Sequence, residues 1–173
     1  DYPYTVNPAL GFWRSLRALA LDRLGRHDEA LALAREEVEL SRTWGAPGTL
    51  GRSLRALGTL ERGEGLPRLS EAVDVLEGSP ARLEHAKALV ALGGALRRAG
   101  ERAAARDPLR RGLELAARCG AAPLAEQART ELYSAGGRPR RTALSGPESL
   151  TPSERRVAEL AADGNTNRDI AQT

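Results

Sequence analysis

LVALGGALRRAGERAAARDPLRRGLELA, Leu89 to Ala116, is the stretch that decides the fold. Leu89, Leu92, Gly93 and Leu96 precede Gly100, and Ala105, Leu109, Gly112 and Ala116 follow it. Apolar and small residues three or four apart lie on one face of a helix. A glycine between two such stretches permits a tight reversal, and small residues in mid-helix let two backbones approach closely. The stretch therefore predicts two helices folded back on each other. Pro108 falls within or at the start of the second, which makes Asp107 a candidate late N-cap.

The same pattern extends outward on the N-terminal side. LDRLGRHDEALAL and LERGEGLPRLSEAV align with LRRAGERAAARDPL, placing turn glycines at Gly25, Gly65 and Gly100. Five residues after each comes a small residue: Ala30, Ser70 and Ala105. Gly58 and Gly93 precede the last two glycines, with Ala18 in the first slot, and WGAP, EGSP and CGAAP close the three units at Gly45, Gly78 and Gly120. In the first unit the predicted apolar stripes are Leu10, Trp13, Leu16, Ala20 and Leu24, then Ala30, Leu33, Ala34, Val38, Ser41 and Trp44. Hairpins of this kind cannot bury their faces alone and must stack. Ala121 to Tyr133, with Leu124, Ala128 and Leu132 on one stripe, reads as a capping helix.

These residues resemble a tetratricopeptide repeat: Leu92-Gly93, Gly100 seven later, Ala105 five after that, and Leu109 where the family usually has an aromatic. The period averages 37.5 residues against the family's 34. The expected fold is all-α, a tetratricopeptide-like helical-hairpin solenoid over residues 1–133.

Composition agrees. Aromatics are only 3% of the 173 residues, and Ala, Leu, Arg and Glu dominate, as in helical chains. Of 26 basic residues only Lys87 is lysine, and the net charge of +3 neither requires nor excludes a nucleic-acid partner. The single cysteine, Cys119, forbids an intrachain disulfide and points to a reducing compartment. The longest apolar run, Ala88 to Leu96, is far short of the roughly 20 residues that span a bilayer. With no methionine and no opening signal segment, the sequence reads as an internal piece of a longer cytoplasmic protein without a membrane partner.

After Tyr133 the composition changes. SAGGRPRRTALSGPES, residues 134–149, is rich in Gly, Pro, Ser and Arg and reads as a linker. Its Arg138, Arg140 and Arg141 form a basic cluster, read as solvated rather than as a phosphate-binding arm. Beyond it, SLTPSERRVAELAADGNTNRDIAQT starts as a helix with Thr151 as N-cap, Pro152 at the first position and Glu154 closing a capping box. A turn at Asp163-Gly164-Asn165 and a second cap at Thr166 open another helix.

Residues 150–173 resemble the beginning of a LuxR-type helix-turn-helix domain. The resemblance rests on Leu150-Thr151, Glu154, the Val157/Leu160/Ala161 stripe, Gly164 and Thr166-Asn167-Arg168-Asp169-Ile170-Ala171. It covers about a third of such a domain, and Asn165 stands where the family usually has an apolar residue. In that family the second helix supports a third, which enters the major groove. Thr166, Asn167 and Arg168 would lie at the second helix's exposed N-terminus, where free N–H groups and an arginine suit a DNA phosphate. Repeats, linker and reader together resemble the large ATP-binding LuxR regulators. The resemblance implies a transcriptional regulator fragment whose repeats sense an effector protein or small molecule. DNA is then the partner of the complete protein, and ATP would bind an N-terminal part absent from this chain. Oligomeric state and the residues of any effector groove are not legible.

Enzyme chemistry finds no constellation. The chain has no G-x-x-x-x-G-K-[ST] loop and no G-x-S-x-G elbow. Neither catalytic nor metal-ligating residues are assigned, and no cofactor is expected in this stretch. His27, His85 and Cys119 are too scattered to hold a metal. Cys119 is read as a buried core thiol, and Glu36-Glu37 as solvated charge on a polar face. The alternative function is a protein- or ligand-binding repeat scaffold with no DNA binding of its own.

Overall fold

Three helix pairs and a closing helix follow from the spacing of small and apolar residues. A computed structural model of the chain describes residues 11, 13–137, 152–166 and 170. Leu10, the linker positions 138–149 with Arg138, Arg140 and Arg141, Thr151, the Glu154 side chain, Asn167 and Arg168 lie outside the described residues. Backbone contacts divide the chain into two units, residues 1–139 and 140–173. All regular structure among the described residues is helical, with no strand.

In the first unit the helices are α1 (Trp13–Arg23), α2 (His27–Trp44), α3 (Pro47–Leu60), α4 (Leu66–Leu76), α5 (Arg82–Arg98), α6 (Arg102–Arg118) and α7 (Ala122–Ser134). Each packs on the next in sequence, and α1, α3, α5 and α7 also touch in succession. The helices α2 to α7 open without a side-chain cap. Pro47, Pro67 and Pro123 in the first turns of α3, α4 and α7 supply fixed φ instead. Tertiary packing therefore carries most of their stability. One apolar cluster joins α1 to α5 through Ala18, Ala34, Leu54, Leu60, Leu76 and Leu89. A second joins α5 to α7 through Val90, Leu109, Leu113 and Leu132. α5 serves both, Leu89 on one side and Val90 on the other. Each fully buried leucine is worth roughly 1.5–3 kcal/mol relative to exposure.

Gly25 and Gly100 have φ of 78° and 87°, and the reversals they make are the expected ones. Gly65 does not reverse the chain. Its φ is −78°, and the positive angle falls on Arg62, φ 52°, at the start of a short 3-10 turn, Arg62–Gly65. Gly65 is buried where α3 meets α4, and a Cβ there would lie 1.8 Å from the Gly58 carbonyl oxygen. Gly58 and Gly93 are the matching close approaches on the first helices: a Cβ on Gly93 would meet Leu109 at 2.5 Å and the Ala105 carbonyl at 3.1 Å. The middle hairpin has therefore lost residues from its turn. The correct correspondence is Ala30, Gly65 and Ala105, all buried, and Ser70 is exposed.

Three other expectations are overturned. In α1 the buried face is Arg14, Ser15, Ala18 and Leu21, whereas Trp13, Leu16, Ala20 and Leu24 are exposed. Trp44 is also exposed. α6 starts at Arg102 with Pro108 inside it, so Asp107 is not its cap.

In the second unit α8 spans Pro152–Ala162. It ends where Gly164, φ 84°, sends its N–H to the Ala161 carbonyl at 3.1 Å and Asn165 N–H reaches the Leu160 carbonyl at 3.1 Å. This doubly bonded glycine end satisfies the last carbonyls.

Candidate functional site

The expected DNA-contacting residues Thr166, Asn167 and Arg168 begin just after that turn. Thr166 is exposed, and its carbonyl accepts the N–H of helical Ile170 at 3.0 Å. The bond spans four residues, the spacing of one α-helical turn. Asn165 adds a second bond, its Nδ2 donating to the Leu160 carbonyl at 2.9 Å. The amide thus substitutes polar capping for the apolar contact expected at this position. Of the predicted apolar stripe, Leu160 is half-buried with Ile170, while Val157 and Ala161 are exposed.

In the first unit, ion pairs tie each hairpin to the next. Arg42 of α2 donates to Glu71 of α4 at 2.5 Å, and Arg111 of α6 to Glu77, the residue that ends α4, at 3.0 Å. Arg55 of α3 reaches Glu84 of α5 at 3.3 Å, and Arg97 of α5 reaches Glu131 of α7 at 2.5 Å. Burial pushes the Glu84 carboxyl up, but the bonds from Lys87 and Arg55 outweigh it and hold the group below its ordinary value.

The least expected site is buried between α1, α2 and α3. Glu37, read as solvated from sequence, has a fully buried side chain, and neither carboxylate oxygen has a hydrogen-bond partner. Arg14 Nη1 stands 3.8 Å from it, while Arg14 Nε donates to Glu36 at 3.1 Å. Burial raises the Glu37 carboxyl against the attraction of Arg14 and Arg52. Repeat register was the signal that could have found the cluster. Arg14 occupies the position held by Leu54 and Leu89, and Glu37 that of Ala72 and Gly112, all four buried.

No group of three or more His, Cys, Asp or Glu residues suited to a metal occurs among the described residues. His27 Nδ1 pairs with Asp22 Oδ1 at 2.7 Å, which lowers the Asp22 pKa. Burial lowers the pKa of His85, assisted by Arg111. Cys119 is exposed, contrary to the buried thiol expected, because α6 ends at Arg118 and the cysteine falls in the reversal ahead of Gly120. No described helix is long and apolar enough to cross a membrane. No protein-family model matches the chain, and no curated protein matches its sequence.

Proposed function

We propose that this chain joins a tetratricopeptide-like sensor to the opening of a LuxR-type helix-turn-helix reader, within a transcriptional regulator. The observation that carries the reading is the end of α8. α8 ends at the Gly164 turn, Asn165 bonds back to it, and the Thr166 carbonyl accepts the Ile170 N–H, on residues that resemble the family. In this reading the second helix supports a recognition helix encoded beyond Thr173, and Thr166, Asn167 and Arg168 meet phosphate. Base discrimination is worth roughly 1–3 kcal/mol per bidentate contact and belongs to the recognition helix. The 173-residue chain should therefore bind DNA weakly and without sequence preference, and lose that binding with added salt. Extending it with the native residues beyond Thr173 should yield a footprint on a defined site. A footprint from the 173-residue chain at physiological salt overturns the assignment.

The sensor half is supported by helix spacing. α1, α3, α5 and α7 contact one another in series, while Arg42–Glu71 and Glu77–Arg111 link α2, α4 and α6 through long side chains. The closer-spaced layer lies on the concave side of such a stack and offers the extended surface that repeat proteins use for partners. Lys87 and Arg55 lie partly exposed on it. If all signalling-dead substitutions in the full-length protein mapped to α2, α4 and α6, this assignment of the sensing surface would fail.

A further inference from the structure

Residues 97–118, from the end of α5 through α6, hold seven arginines against Glu101, Asp107 and Glu114, a net charge of +4. The whole chain is only +3, so everything else together is slightly acidic. Within α6, Arg102, Arg106 and Arg110 are all exposed. Spaced four apart, they drift about 40° round the helix at each step and form a stripe roughly 12 Å long.

Their surroundings set them apart. Every arginine of α2 and α4 meets a carboxylate: Arg35 with Glu61, Arg42 with Glu71, and Arg68 with both. In the stripe, the Arg102 side chain has no hydrogen bond or ion pair among the described residues, and Arg110 reaches Asp107 only at 3.9 Å. Arg106 is held without being neutralised. Its Nε donates to the Ala135 carbonyl at 2.9 Å. Its Nη2 lies 3.1 Å from where a Cβ on Gly136 would stand, and that glycine, at φ 73°, leaves room for the guanidinium. Arg106 follows Ala105 where half-buried Leu31 and Leu66 follow Ala30 and Gly65. A polar end face keeps a stack of hairpins soluble, but solubility does not require a single sign of charge.

We propose that the Arg102–Arg106–Arg110 stripe of α6 is a docking surface for the sugar-phosphate backbone of duplex DNA. Each strand offers one phosphate per roughly 3.4 Å of helix axis, so the stripe faces about three or four, and the planar arginine fork suits phosphate oxygens. DNA, rather than another polyanion, follows from the reading of residues 150–173 as the opening of a DNA reader, on which the proposal rests. Contacts of this kind position a protein without specifying sequence, and salt weakens them.

The 173-residue chain is titrated against a fluorescent random-sequence duplex at several salt concentrations, with anisotropy as the readout. Arg102→Gln/Arg110→Gln should bind severalfold more weakly at low salt, with a salt slope smaller by about 2, since each lost phosphate contact removes about 0.9. Arg17→Gln/Arg23→Gln removes two exposed arginines from α1 and should keep the parental slope. Both double variants should keep the parental Tm, because all four side chains are exposed. No binding by the parent at low salt, or a stripe variant with an unchanged slope, would overturn the inference. So would equal losses from the two double variants, because binding would then follow net charge alone. A need for these arginines in binding polyglutamate but not DNA would also overturn it, making an acidic protein the occupant. Failure of the DNA-reader assignment is separately visible: the protein extended beyond Thr173 would select no preferred site, while the stripe variant would still lose slope on random duplex.

Discussion

At Gly65 an added methyl would lie 1.8 Å from the Gly58 carbonyl oxygen, whereas nothing lies within 4 Å of one at Gly63. Gly65→Ala should therefore cost about 1–3 kcal/mol by forcing α3 from α4, and Gly63→Ala should be close to neutral in the same denaturation experiment. Equal effects would contradict the assignment of Gly65 to packing. At Glu37 the sign runs through proton binding. The folded carboxyl, held up by burial, keeps its proton to a higher pH than the unfolded one. The group thus withdraws stability as pH rises above the ordinary value of 4.5 and has no such effect well below it. Glu37→Gln keeps the shape without the charge. It should raise Tm near neutral pH, with the gain shrinking as pH falls through the acidic range; a gain independent of pH would contradict the argument. Cys119 should react with a thiol reagent in the native protein about as fast as in the unfolded one, and protection would restore the buried reading. Sequence alone misplaced Gly65 because a reversing glycine and a close-packing glycine look alike when the intervening turn changes length.

Among the helices, spacing was most legible where the hairpin is regular. Ala105, Leu109, Gly112 and Ala116 of α6 are all buried, as the three-and-four rhythm required. In α1 the same rhythm selected the wrong face. Trp13, Leu16, Ala20 and Leu24 form a longer apolar stripe than the buried Arg14, Ser15, Ala18 and Leu21, and periodicity cannot tell one packing face from another. Among the described residues α1 packs on α2 and α3, and Ala18 and Leu21 face that contact. Ala105→Leu tests the close packing of α5 on α6 that the rhythm implies. Overpacking beside Gly93 should cost roughly 1–3 kcal/mol, and an unchanged Tm would remove that claim. The linking ion pairs set register more than stability. Side chains of Arg42 and Glu71 are 40% and 30% exposed, so a double-mutant cycle should give a coupling below about 1 kcal/mol.

Over the whole molecule, two units differ in how their function can be read. The helical first unit follows from composition and periodicity. Its buried Glu37–Arg14 cluster escaped notice because charged residues on a helix are ordinarily solvent-facing, and only comparison between hairpins shows that leucine and small residues belong at those positions. For the second unit, chain chemistry supplied the turn at Gly164 and the Thr166–Ile170 bond after it, whereas base reading belongs to a recognition helix in the proposed reading. The account's central claim is that the segment after this turn supports a DNA-reading helix. The measurement that tests it most directly is a footprint of the protein carrying its native residues beyond Thr173, at physiological salt, on DNA selected from random sequence. The account predicts protection of one defined site, a 173-residue chain that protects none, and an Arg168→Ala variant weakened alike on all sequences. Selection that recovers no preferred sequence with the extended protein, or a protected site with the 173-residue chain alone, would contradict it.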